Sequence, residues 1–270
     1  MKTVILCGGR GMRLNEETEY RPKPLVPIGQ RPILWHIMRS YSHYNFREFI
    51  LCLGYRGDKI KEYFLNYKPM SNDCTVQLGL RHEITYGKLA DDENYQVTLA
   101  DTGLETGTGG RIQRIRKYIN EETFMLTYGD GVSDINVNEL LKFHFSHGRC
   151  ATVTAVHPTS RYGVLSMGDD GNVLGFSEKP MMNDWMSAGF FVFNVGIFDY
   201  LEGDDCFLEQ GPLQHLASRG ELMAYKHEGF FFSMDTYREY KYLNDLWDKG
   251  QTPWIKQPQT LLTGEIDQLL

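Results

Sequence analysis

The stretch MKTVILCGGRGMRL, residues 1–14, sets a short apolar run, Val4 to Cys7, directly against a loop containing Gly8, Gly9 and Gly11. An apolar run with Lys2 before it and glycine after it reads as a buried strand that ends in a loop. The same signature recurs at Phe49–Leu53, Thr123–Thr127 and Ala151–Ala155. Segments of helical period lie between these runs. Pro32 opens one in which Ile33, Ile37 and Tyr41 share a face, Asp58 precedes one carrying Ile60, Tyr63 and Phe64, and Asn136 or Asn138 caps a third that reaches His147. Strand–helix alternation of this kind predicts an α/β fold, a single mostly parallel sheet with helices on both faces, Rossmann-like in plan. Ligands of such sheets bind beyond the carboxyl ends of the strands, so the loops after Cys7 and Thr127 are the candidates for chemistry.

Beyond residue 155 the pattern changes. Gly163–Met167, a turn at Gly168–Asn172, Val173–Glu178 and Gly189–Asn194 read as short strands of a small β-rich subregion suited to a sugar. A last helix is expected from about Thr236 to Lys249. Two prolines in Gln251–Gln259 suggest that the tail, 257–270, is loosely attached. The organisation expected is one domain over 1–256, with a nucleotide-binding part about 1–155, a sugar-binding part about 156–235 and a C-terminal helix about 236–249.

Composition removes several classes. With 41% hydrophobic and 23% charged residues the chain can bury a sizeable core. A net charge of −7 argues against a nucleic-acid partner, which calls for a basic patch, yet leaves room for a small phosphate site built from a few local cations. The apolar run at the start is too short for a signal peptide or membrane span, so a cytoplasmic protein without a membrane partner is expected. Five dispersed cysteines show neither zinc nor disulfide spacing and read as reduced.

Four constellations carry chemistry. In Gly8-Gly9-Arg10-Gly11-Met12-Arg13-Leu14, glycines let backbone N–H groups approach phosphate, and Arg13 offers a fork of donors. Leu14 stands where a dinucleotide fingerprint needs glycine, and the Gly-Lys-Ser/Thr of a P-loop is missing. In Arg21-Pro22-Lys23-Pro24-Leu25 the prolines hold Lys23 and its neighbour extended and present the lysine. Tyr128-Gly129-Asp130-Gly131 places a carboxylate at a strand end, suited to Mg²⁺. Asp235 in Met234-Asp235-Thr236 is either a second ligand or the N-cap of the next helix. In Phe176-Ser177-Glu178-Lys179-Pro180, Lys179 can meet a sugar phosphate and Glu178 sugar hydroxyls, unless the two form an ordinary exposed pair. His144 and His147 share a helix face without a carboxylate pair and read as packing residues, and Phe230–Phe232 reads as buried strand.

Taken in order, GGRGMR, RPKPL, YGDG, FSEKP and SMDT resemble the sugar nucleotidyltransferase family, and PILWHIM, YGDGV, TGGR, MDT and LWDKG resemble its branch of glucose-1-phosphate cytidylyltransferases. The likeness runs from Met1 to about Lys256. It implies transfer of a cytidylyl group from CTP to a sugar phosphate such as glucose 1-phosphate, with Mg²⁺ as cofactor. By the same resemblance Leu6, Gly8, Gly9, Gly11, Met12 and Arg13 would hold the nucleotide with Lys23 at its phosphates. Gly109, Gly110 and Arg111 would help enclose cytosine and ribose, and Thr108, Tyr128 and Gly129 would also bind the nucleotide. Asp130 and Asp235 would hold the metal, and Glu178, Lys179, Ser187 and Gly189 the sugar phosphate. Arg13, Lys23, Asp130, Lys179 and Asp235 would form the catalytic set, in a homo-oligomer. The family usually carries Asn where Ser187 stands, so a broader or different sugar range is expected, and Thr where Met12 stands, a change expected to bear on rate more than on sugar choice. Two rival readings are a nucleotide-sensing regulator without chemistry, which predicts missing ligands, and an oxidoreductase, which Leu14 disfavours.

Overall fold

The computed structural model describes residues 1–11, 14, 18, 20–79, 83–87 and 93–256. The chain builds one seven-stranded sheet from β1 (Thr3–Cys7), β2 (Glu48–Leu53), β3 (Gln96–Asp101), β4 (Thr123–Tyr128), β5 (Ala151–Val156), β6 (Met186–Asn194) and β7 (Leu222–Lys226), in the order β7-β5-β6-β4-β1-β2-β3. All neighbours run parallel except β6, which is antiparallel to both β5 and β4. The mostly parallel α/β expectation therefore holds.

Successive residues of β1 point to opposite faces, and each face is covered. Ile5 and Cys7 pack with Ile33 and Ile37 of α1 (Ile33–Ser42), while Val4 and Leu6 join a second cluster on the other side. The helices that follow are α2 (Gly57–Leu65), α3 (Tyr67–Ser71), α4 (Thr108–Arg114), α5 (Val137–His147), α6 (Pro212–Ser218) and α7 (Tyr237–Asp248). Leu140 of α5 and Leu243 of α7 belong to the first cluster, and Ile112 of α4 and Leu216 of α6 to the second. A fully buried Leu or Ile contributes about 1.5–3 kcal/mol through removal from water, so these two layers carry most of the fold's drive. Local signals set the boundaries: Asn136 Oδ1 accepts from the N–H groups of Asn138 (3.1 Å) and Glu139 (3.3 Å), and α5 stops at Gly148 in the left-handed region.

Two features depart from the sequence reading. The predicted strand Gly189–Asn194 is not part of a separate β-rich unit; it begins at Met186 and lies inside the main sheet as β6. Of the subregion, Val164–Met167 and Val173–Ser177 do form a hairpin of their own. The edge strands β3 and β7 went unread in the sequence; each has one neighbour in the sheet and is only partly buried. Gln251–Lys256, inside the expected domain bounds, is anchored at its centre: Trp254 is buried, stacks on Phe230 and donates its indole N–H to His36 Nδ1 at 3.3 Å. The expectation for 257–270 lies outside the described residues. The five cysteines are free thiols, and burial pushes Cys52 up to about 12.

Candidate active site

Two loops at the carboxyl ends of β1 and β4 meet a third segment brought from the far end of the chain. Gly131–Ser133 pairs antiparallel with Phe231–Ser233, in register Ser233 to Gly131, and Met234 N–H donates to the Asp130 carbonyl at 2.8 Å. This ribbon sets Asp235 beside Asp130. The helix α7 starts with Glu239 accepting from the N–H groups of Asp235 (2.6 Å) and Thr236 (2.8 Å). With Glu239 filling the capping role, the Asp235 carboxylate is released to face the site.

Lys23 joins the two carboxylates. Its Nζ donates to Asp130 Oδ2 at 2.5 Å and to Asp235 Oδ1 at 2.7 Å. Burial works against the ammonium, but the two aspartates outweigh it and hold Lys23 above the ordinary lysine range. The segment around it differs from the extended run expected. Lys23–Leu25 is one 3-10 turn, closed by Leu25 N–H to the Pro22 carbonyl at 2.8 Å and Val26 N–H to the Lys23 carbonyl at 3.0 Å. Pro24 fits because the first N–H groups of a helical turn have no partner in any case. The prolines still present the lysine, through a turn rather than an extended strand.

On one side of this centre opens a cavity of about 1010 Å³ whose wall includes Tyr128, Asp130, Arg161, Lys179, Ser187, Asp235 and Arg238. Gly189 sits behind the wall at φ +73°, and the Tyr128 ring lies where a side chain would stand, so glycine is required there. Lys179 reaches the wall from a left-handed backbone (φ 46°) and pairs with Glu178 Oε1 at 3.2 Å. Glu178 itself is exposed and is not on the cavity wall, which matches the surface-pair alternative better than a sugar contact.

On the other side lie the loops after β1, β2 and β3, and Arg111 joins them. Its Nη1 donates to the carbonyls of Leu53 (3.1 Å) and Gly103 (2.7 Å) and to Thr102 Oγ1 (2.9 Å), and its Nη2 to the carbonyls of Gly8 and Leu104, both at 3.2 Å. A Cβ on Gly8 would stand 2.2 Å from this guanidinium, so the first glycine of the loop is there to admit it. Gly109 and Gly110 likewise face the backbone of Asp204 and Cys206, with Gly110 N–H donating to the Cys206 carbonyl at 3.1 Å. Arg111, Gly109 and Gly110 thus hold the loops after β1, β2 and β3 to one another and to the segment around Asp204 and Cys206. Leu6 is a buried β1 residue whose carbonyl accepts from Gly129 N–H at 3.0 Å, while Gly9 is exposed and Gly11 adopts φ +62°. Met12 and Arg13 lie outside the described residues.

Glu209 went unread in the sequence. It accepts from Thr108 Oγ1 at 2.7 Å and from the Tyr128 hydroxyl, tying α4 to the end of β4. Burial, then Glu209, push the Tyr128 phenol up, which keeps it a donor. The segment around Glu209 has neither helical nor strand period, so no local signal marked it. His144 and His147 are packing residues as read: His144 Nδ1 and His147 Nε2 meet Thr152 Oγ1 at 2.9 and 2.8 Å.

A glycine loop, a lysine between two strand-end carboxylates and an adjoining cavity define a protein that handles phosphates on an α/β sheet. The chain belongs to the nucleotidyl transferase family, whose model matches residues 2–227. It is 46% identical over 257 residues to the glucose-1-phosphate cytidylyltransferase of Salmonella typhi, covering 94% of this chain and 98% of that protein. It is 44% identical over 255 residues to the probable glucose-1-phosphate cytidylyltransferase of Bacillus subtilis, covering 94% and 99%. Its fold is also that of HddC from Yersinia pseudotuberculosis complexed with GMP-PN, with a TM-score of 0.65 at 20% identity over 91% of this chain and 99% of that one.

Proposed function

We propose that this chain transfers the cytidylyl group of CTP to glucose 1-phosphate, giving CDP-glucose and pyrophosphate. The observation that carries the reading is the Lys23–Asp130–Asp235 centre, set between a glycine loop and a large cavity. The choice of base and sugar is supported by the relatives from Salmonella typhi and Bacillus subtilis.

The donor set fits Mg²⁺. Asp130 and Asp235 already converge on one cation, the Lys23 ammonium, and hard carboxylate oxygens completed by phosphate and water suit this ion. Among the described residues no group of three or more His, Cys, Asp or Glu side chains forms a closed cage, so the rest of the shell would come from substrate and water. Mg²⁺, when bound, supplies a Lewis acid that draws charge from the phosphate oxygens.

The reaction brings two polyanions together. An oxygen of the sugar phosphate attacks the α-phosphorus of CTP, and the bond from that phosphorus to the α,β-bridging oxygen breaks, with the electron pair leaving on pyrophosphate. No base is needed, because the attacking phosphate is ionised near neutral pH. Positioning and charge neutralisation therefore carry the rate. Asp130 and Asp235 would hold the metal; Lys23 exchanges its carboxylate partners for nucleotide phosphate oxygens; Lys179 binds the sugar phosphate from the cavity wall; Arg13 acts on the nucleotide phosphates. A cytoplasmic location and self-association belong to the same proposal; no helix among the described residues is long and apolar enough to cross a membrane, and Leu165, Leu174 and Phe176 stand exposed on the hairpin.

Pyrophosphate release across a matrix of nucleoside triphosphates and hexose phosphates tests the reading; turnover led by another nucleotide would overturn it. Ser187 lies on the cavity wall with its Oγ accepting from Gly189 N–H at 3.3 Å. A second sugar phosphate should therefore compete with glucose 1-phosphate within about tenfold, and Ser187→Asn should narrow the range. Glucose 1-phosphate leading by over about a hundredfold, unchanged in Ser187→Asn, would dismiss Ser187 as a determinant of sugar choice.

A further inference from the structure

The Lys23–Asp130–Asp235 centre divides the site. The cavity toward β6 and α7 takes the sugar phosphate, which leaves the loops after β1, β2 and β3 for the nucleoside. Those loops are already one platform, because a single Arg111 nitrogen bonds both the Gly8 and the Leu104 carbonyls. One residue beyond Leu104 stands Glu105, and two beyond Gly8 stands Arg10. Arg10 Nη2 donates to Glu105 Oε1 across the gap between the loops, joining residues 95 positions apart.

Holding the loops together does not explain this pair. The side chains are 52% and 72% exposed, and ion pairs that exposed contribute little to stability. Arg111 meanwhile ties the same loops from below. Among the described residues Glu105 Oε2 and the other nitrogens of Arg10 have no partner, so a ligand can reach them. Nearby polar groups are engaged elsewhere: the Thr108 and Tyr128 hydroxyls with Glu209, the Arg111 guanidinium with carbonyls.

Resting on the reading that CTP lies over the glycine loop, we propose that Glu105, oriented by Arg10, selects the base by accepting a hydrogen from the exocyclic amine of cytosine. A carboxylate accepts and cannot donate, so it matches the amine at C4 of cytosine and repels the carbonyl oxygen that uracil carries there. UTP has the same ring size and differs at that edge, which makes it the discriminating competitor. Arg10 is a positioning residue whose bond to Oε1 turns Oε2 toward the ligand.

The test is titration calorimetry of CTP and UTP, with kcat/KM for each, on the native protein and on Glu105→Ala, Glu105→Gln, Arg10→Ala and Arg10→Lys. The native protein should prefer CTP. Glu105→Ala should lower the CTP:UTP ratio about tenfold or more by weakening CTP, as expected for loss of one charge-assisted bond. Glu105→Gln, whose amide both donates and accepts, should bring the two nucleotides within about threefold. Arg10→Lys should keep most of the preference that Arg10→Ala loses. Equal losses for CTP and UTP in every variant, or an unchanged ratio, would overturn the proposal while leaving cytidylyl transfer standing. A native protein that prefers another nucleotide would remove both. Because the pair is exposed, melting curves of the four variants should match the native one.

Discussion

Replacing Lys23 by methionine tests whether a single cation position lies between Asp130 and Asp235. The substitution keeps an unbranched side chain but removes the ammonium, which lies 2.5 Å from one carboxylate oxygen and 2.7 Å from the other. Those contacts hold the two oxygens within about 5 Å of each other, where like charges at an effective dielectric of about 20 repel by about 3 kcal/mol. In a chain of this size that corresponds to a fall in Tm of roughly 6 to 10 °C. The native protein keeps the stabilisation at every pH below lysine's ordinary 10.5 and loses it as pH rises through the still higher folded value. Millimolar Mg²⁺ should restore most of the loss in Lys23→Met and shift the native Tm far less. Differential scanning calorimetry at neutral pH, with and without Mg²⁺, reads both effects. An unchanged Tm in the variant, or equal Mg²⁺ responses in the two proteins, would refute the shared cation position.

Asp130→Asn and Asp235→Asn should each remove most turnover while circular dichroism stays native; near-normal activity in either would take that residue out of the metal site. Lys179→Ala should raise KM for the sugar phosphate and lower kcat/KM by about 10²-fold with CTP affinity unchanged, and a loss confined to CTP would assign the lysine to the other substrate. His36 is buried, donates Nε2–H to the Ile28 carbonyl at 3.0 Å and accepts from Trp254 on Nδ1, and burial lowers its pKa from 6.5 to about 4. The unfolded chain takes up this proton first, so stability is full above pH 6.5 and falls by up to about 3 kcal/mol as pH drops from there toward 4. Chemical denaturation against pH should show that slope in the native protein, and a slope unchanged in His36→Gln would assign the acid sensitivity elsewhere.

What could be read from sequence was local. The runs that became β1, β2, β4 and β5 are apolar because both faces of those strands are covered, and Asn136 marked the start of α5 through its own capping chemistry. The juxtaposition of Asp130 with Asp235 had no local signal. It depends on the pairing of 131–133 with 231–233, a register set by contacts a hundred residues apart. Family likeness pointed to both aspartates, and the ribbon supplies the physical reason they meet. For Arg111, Gly109 and Gly110 the likeness gave no hint of their contacts within the fold, the guanidinium with the loop carbonyls and the glycines with the segment around Asp204 and Cys206. Trp254 escaped notice because its partners are distant in sequence: its indole meets His36, 218 positions away, and the ring of Phe230.

Cytidylyl transfer is defined by which bond of CTP breaks. CTP carrying oxygen-18 in the α,β-bridge, incubated with glucose 1-phosphate and Mg²⁺, yields products that mass spectrometry separates cleanly. Attack on the α-phosphorus predicts CDP-glucose free of label, with all of the oxygen-18 in pyrophosphate. Label retained in the sugar nucleotide, or CTP consumed without any CDP-glucose, would contradict cytidylyl transfer by this chain.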